Sequence, residues 1–175
     1  MSSIEPKFSK RTLPDWPKQK LRGNRLQGYR YTSREFFQAE FDEMWAKVWL
    51  LLGRESEILH PGDWQKEEVG PESILMVRQK DNSIKAFYNV CQHRGNRLVA
   101  EDKGSTRRFV CRYHAWAFDV GGDLLYAQDA ENFAEGNPCG KIKLKEIRCE
   151  TFAGFIWINM DPDCDDLRSY LGPIW

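Results

Sequence analysis

Cys91-Gln92-His93 and Cys111-Arg112-Tyr113-His114 each set a histidine two or three residues after a cysteine, with seventeen residues between the units. They hold two of the chain's five cysteines and two of its three histidines. Thiolate and imidazole are ligands for zinc and for iron–sulfur clusters, so metal chemistry is the first reading. Each unit follows an apolar, strand-like run, "IKAFYNV" before Cys91 and "RRFV" before Cys111. Both ligand pairs therefore sit on loops leaving strand ends, because no single helix could gather these four groups. Gly95 allows a tight backbone after the first pair, and "EDKGS" at 101–105 turns the chain back. Two thiolates and two imidazoles could hold zinc, although structural zinc sites more often pair cysteine with cysteine and histidine with histidine. A [2Fe-2S] cluster of mixed ligation needs two Cys on one iron and two His on the other, hence one of each from each loop. Four unrelated core residues are the third reading.

The elements that must carry these loops read as mainly β. After Gly53 the chain breaks into short runs at Trp64–Val69, Ser73–Gln79, Ile84–Val90, Arg107–Arg112, Trp116–Val120, Leu124–Ala127, Lys143–Cys149 and Gly154–Asn159. Turn chemistry at "HPGD" (60–63), "GPES" (70–73), "KDNS" (80–83) and "VGGD" (120–123) separates several of them. Strands this short and this regularly punctuated predict an antiparallel sandwich or small barrel. One helix is expected before them, over "YTSREFFQAEFDEMWAKVWL". There Thr32 and Glu35 have capping-box spacing, and Phe36, Phe37, Phe41, Met44, Trp45 and Val48 recur on one face.

Composition bounds the rest. The 175 residues are 41% apolar and 13% aromatic, enough for one domain with a core and some extra material. Lys+Arg and Asp+Glu balance at 26 each, but Met1–Tyr31 carries eight basic residues against two acidic ones. That stretch lacks an amphipathic repeat and interleaved aromatics, so a solvated arm is expected rather than a nucleic-acid or membrane binder. The N-terminus shows no apolar signal region, and "VWLLL" and "AGFIWI" are too short to cross a bilayer. Five scattered cysteines argue against a disulfide framework, and a reducing cytoplasm is the expectation. His60 reads as a surface turn residue, and Cys139, Cys149 and Cys164 as ordinary thiols. Asp161, Asp163, Asp165 and Asp166 read as a solvated acidic turn, since calcium-loop spacing is missing.

"CQHRG" and "CRYHAWAFDVGGDL" resemble the Rieske domain of ring-hydroxylating non-haem iron oxygenases, in their large (α) subunit. The likeness extends to the helix "SREFFQAEFDEMWAKVWL", the turn "HPGDW" and the tail "FAGFIWINMDPD…LRSYLGPIW", which a small Rieske ferredoxin lacks. It implies a Rieske-type antiparallel β sandwich with a two-loop cluster-binding subdomain. It also implies a division into arm and helix (1–46), Rieske domain (47–160) and the start of a catalytic domain (161–175). Carried over by position, Cys91 and Cys111 bind one iron of a [2Fe-2S] cluster, His93 and His114 the other, and Trp116 shields the cluster. Ala115 stands where the family more usually has glycine.

The resemblance further implies an electron donor, a ferredoxin or flavin reductase. It implies an acceptor too, a mononuclear Fe(II) in the catalytic domain of a neighbouring α subunit, within a homo-oligomer, a trimer when full length. Such an iron takes two histidines and a carboxylate, and no histidine follows His114. The expected reading is a truncated α subunit that moves electrons without hydroxylating. Respiratory-type Rieske proteins carry a disulfide between their loops and hydroxyls beside their sulfurs; Trp116 and Phe118 stand where those hydroxyls would be. A potential near the bottom of the range of about −150 to +300 mV is therefore expected. The rival readings are a stand-alone Rieske electron carrier and a zinc-stabilised interaction domain.

Overall fold

A computed structural model describes residues 27–175, in two compact units that divide between Met44 and Trp45. The arm read over 1–31 lies outside the described residues except at its end, where Tyr29–Thr32 forms one helical turn, α1. The helix proper, α2, is Arg34–Glu43. Its cap is Ser33, one residue after the expected Thr32: Ser33 Oγ accepts from Phe36 N at 3.1 Å and donates to the Glu35 carboxylate at 2.9 Å. The helix also ends sooner than its aromatic period suggested. Trp45–Lys47 is a single tight turn, and Leu50–Arg54 is strand β1, paired with residues 155–158. "LLL" favours either state, and the available sheet partner decides for strand.

The second unit is built on a seven-stranded antiparallel sheet in the order β1-β10-β9-β4-β3-β2-β5. Its further strands are β2 (Asp63–Val69), β3 (Glu72–Arg78), β4 (Ile84–Tyr88), β5 (Lys103–Ser105), β9 (Glu146–Phe152) and β10 (Phe155–Asn159). A smaller sheet, β6-β7-β8, comprises Arg108–Val110, Ala117–Asp119 and Leu124–Tyr126. Interior strand β3 explains the division of the core. Side chains alternate across a strand, so Leu75 and Val77 enter one cluster with Phe87, Phe118 and Leu124. Ile74 and Met76 enter the other, with Ile58, Ile147, Ile156 and Ile158. Both faces of β3 are thus covered, which is why "ILMV" reads as an unbroken apolar run rather than an alternating one.

Two expected elements sit elsewhere. The strand expected at Lys143–Cys149 lies at Glu146–Phe152; Lys143 makes only an isolated bridge to Asp123. The hairpin beyond it sets the register: Phe152 faces Phe155 across Ala153-Gly154, both with positive φ (53° and 79°), as a two-residue turn of this hand requires. "DKGS", read as a turn, supplies edge strand β5, which pairs with β2. A short C-terminal helix, α3 (Leu167–Leu171), was not anticipated; Asp166 caps it by accepting from Ser169 N at 2.7 Å. No helix among the described residues is long and apolar enough to cross a membrane.

Everything between β4 and β9, residues 89–145, is one excursion from neighbouring strands, and Tyr88 N donates to Lys145 O across its base at 3.0 Å. The excursion contains the small sheet, edge strand β5 and both Cys/His loops.

Candidate metal centre

The first loop leaves β4 through Asn89, which is 2% exposed. Its Oδ1 accepts from Leu98 N and Val99 N, both at 3.1 Å, and its Nδ2 donates to Val99 O and Ser73 Oγ. One buried amide therefore ties the exit of the loop to its entry. Within the loop, Cys91 N donates to Asn96 O at 2.8 Å and Gly95 N donates to Cys91 O at 3.0 Å. The second loop, between β6 and β7, repeats the frame: Cys111 N donates to Trp116 O at 2.8 Å and Ala115 N to Cys111 O at 2.9 Å. In each, the fifth residue has a left-handed backbone, with φ +72° at Gly95 and +56° at Ala115. Glycine adopts this region freely, whereas alanine does so at a steric cost.

The two frames bring the expected ligands together as two pairs, cysteine with cysteine and histidine with histidine. Cys91 and Cys111 are each 2% exposed, and their thiols lie close enough to interact. His93 and His114 are half-buried and meet edge to face, with centroids 4.7 Å apart. Trp116, 3% exposed, lies flat on the His93 ring at 4.7 Å with 8° between the planes, and it also meets Phe133 and Phe118. Tyr113 covers His114 at 3.8 Å. The grouping is two thiols and two imidazoles. Among the described residues, no three His, Cys, Asp or Glu side chains gather as the ligands of a single ion do.

The electrostatics suit such a grouping. Burial pushes the Cys91 thiol up, its touching neighbour Cys111 adds to this, and the amides of His93 and Arg94 oppose it. Burial acts the same way on Cys111. There the amides of Tyr113 and His114, with Cys91 and the Asn96 side chain, outweigh it, and this thiol lies below its usual value. Burial also lowers His93, helped by positive charge at His114 and Arg94, so the neutral imidazole that a metal requires is favoured. His93 Nδ1 is buried with no hydrogen-bond partner. A buried polar atom without a partner is costly, and coordination to iron would satisfy it. On these grounds the residues present fit a [2Fe-2S] group.

The remaining candidates lie elsewhere. His60 is exposed in a turn in which its N–H donates to Asp63 Oδ2. Cys149 sits on β9, where burial pushes its thiol up to about 12. Asp161 caps a turn, its Oδ1 accepting from Asp163 N. Sequence reasoning missed Asn89 and Asn96. Asn89 could have been suspected as the one amide closing the apolar run "IKAFYN". Asn96 gives no signal until the two loops are overlaid.

The family model for the Rieske [2Fe-2S] domain matches residues 48–150. Benzene 1,2-dioxygenase subunit alpha of Pseudomonas putida is 42% identical over 143 residues, which are 81% of this chain and 32% of that protein. The carnitine monooxygenase oxygenase subunit of Escherichia coli is 38% identical over 141 residues, covering 81% of this chain and 37% of that protein. Among solved structures, a naphthalene 1,2-dioxygenase variant bound to phenanthrene superposes with TM-score 0.72 at 39% identity, covering 79% of this chain and 31% of its own. The apo form of a quaternary ammonium Rieske monooxygenase gives TM-score 0.78 at 31% identity, covering 86% and 43%. The chain spans about a third of the length of the curated relatives it matches. The paired thiols, the paired imidazoles and the sheet that holds them have one family in common: this chain belongs to the Rieske [2Fe-2S] domain family.

Proposed function

We propose that Cys91 and Cys111 hold one iron and His93 and His114 the other, and that the domain relays single electrons within an aromatic ring-hydroxylating oxygenase α subunit. The observation that carries this reading is the sorting of donors by two matching loops: thiols together and buried, imidazoles together and half-buried. When bound, the [2Fe-2S] group supplies a one-electron acceptor and donor. The chain does the rest. Amides at Tyr113 and His114 offset the charge of the Cys111 thiolate, and Trp116 keeps water from His93. The half-buried imidazoles offer the short way out of the domain.

In this reading residues 1–46 are arm and helix, 47–160 the electron-transfer domain and 161–175 the beginning of a catalytic domain. Electrons arrive from a ferredoxin or flavin reductase in the cytoplasm. They leave toward a mononuclear iron in a neighbouring α subunit of a trimer. With His93 and His114 committed to the cluster, His60 alone cannot supply the two histidines of a second iron site. The 175 residues, given reductase and NADH, should accept electrons and form no hydroxylated product.

Metal analysis tests the ligand assignment. Reconstituted protein should contain iron and labile sulfide in equal amounts, with a reduced-state EPR signal of lower average g than an all-cysteine cluster gives. Stoichiometric zinc without labile sulfide would overturn the proposal.

A further inference from the structure

The two loops share a frame, so the residue five places after each cysteine occupies an equivalent position. In the second loop that residue is Trp116, which crosses to the first loop and lies on His93. In the first it is Asn96, which crosses the other way: Asn96 Nδ2 donates to Cys111 Sγ at 3.9 Å, within reach of the large sulfur acceptor. The remaining Nδ2 hydrogen goes to Arg97 O at 2.9 Å, and Asn96 O accepts Cys91 N–H at 2.8 Å. Asn96 is thus anchored on its own loop at both backbone and side chain and presents one N–H to the opposite sulfur. Sulfur is a weak acceptor as a thiol and a stronger one as a thiolate.

We infer that Asn96 sets the electron affinity of this centre by hydrogen-bonding the Cys111 sulfur from the opposite loop. The inference rests on the cluster assignment proposed above. Adding one electron, supplied by an external reductase, would add one negative charge to the centre and so make its sulfurs better acceptors. An N–H directed at one of them favours the reduced state and raises the potential, as hydrogen bonds to cluster sulfurs do generally. No hydroxyl is needed for this. Asn96 supplies a side-chain donor from outside both Cys-x-(x)-His units.

Three proteins test the inference: the wild-type chain, Asn96→Leu and Asn96→Asp, each reconstituted with iron and sulfide. Leucine keeps the size and removes the donor; aspartate replaces the donor with negative charge. Voltammetry should give midpoints falling in the order wild type, Asn96→Leu, Asn96→Asp, with the absorption spectrum of the cluster unchanged. Equal midpoints for wild type and Asn96→Leu would overturn the inference. A measurement on the wild type alone removes any dependence on how the variants fold. With heavy nitrogen in the asparagine side-chain amides, pulsed EPR of the reduced protein should show hyperfine coupling to that nitrogen, and its absence would equally overturn the inference. Wild-type protein without labile sulfide would instead sink the cluster assignment, so the two failures are told apart.

Discussion

The two Cys/His loops have the same backbone and opposite supports. Each closes with an amide of the fifth residue on the cysteine carbonyl and the cysteine amide on the sixth residue's carbonyl. Yet the first loop is exposed at Gln92 and from Arg94 to Arg97, and is fastened at its base by the buried polar Asn89. The second is fastened from within by buried Trp116, which packs on Phe118 and Phe133. The histidine also moves, from the third position of the frame to the fourth. A repeated frame fixes where each sulfur sits, while side chains at the free positions decide which face meets water.

The largest effect expected is loss of either sulfur. Cys91→Ser or Cys111→Ser should abolish cluster retention and raise amide hydrogen exchange across 91–116, because the group ties the loops together. Cys149→Ser, on β9, should retain the cluster. If instead one loop stayed protected when the other lost its cysteine, the loops would be independent and the comparison would break.

The supports come next. Trp116→Ala should cost about 3–5 kcal/mol, the range for a buried large aromatic. Asn89→Leu should cost about 1–3 kcal/mol, since it strands the amides of Leu98 and Val99. Urea melts of the two variants would rank the aromatic support against the polar one; the reverse order would show that the buried amide matters more than the stacking.

A smaller effect sits at the fifth position. Ala115→Gly should stabilise the protein by ~1 kcal/mol, and Gly95→Ala should destabilise it by a similar amount, since only glycine is free of strain at positive φ. A Cβ at Gly95 meets nothing within 4 Å, so the cost there is conformational rather than steric crowding. The smallest change is expected on the rim: Arg112 pairs with Glu101 at 2.7 Å in full view of solvent, and Arg112→Ala should leave the melting temperature unmoved.

The two Cys/His loops were legible because Cys and His are rare in this chain and their spacing is chemical. The strands from Trp64 to Asn159 were legible because β-branched and aromatic runs alternate with Gly, Pro and Asp turns. What failed was whatever depended on a distant partner. Leu50–Arg54 became a strand because β10 lies beside it, and Lys103–Ser105 because β2 does. Ser33 rather than Thr32 caps α2, a one-residue difference that the spacing of candidate caps does not resolve. Asn96 and Asn89 act through the opposite loop or the loop exit, so no local pattern marks them. The helix face was legible as a period, but Phe37 on it is 47% exposed.

The excursion between β4 and β9 has a consequence for the order in which this chain takes shape during synthesis. Strands β2, β3 and β4 pair with their neighbours in sequence and can form a meander as soon as they emerge. Strand β9 must wait until every residue from 89 to 145 has been made, and its docking on β4 closes a long loop at an entropic cost. Both cysteines and both loop histidines are therefore translated before the sheet can be completed. A half-made chain already carries both thiols and both imidazoles, while the β4 edge on which β9 will seal the sheet is still open.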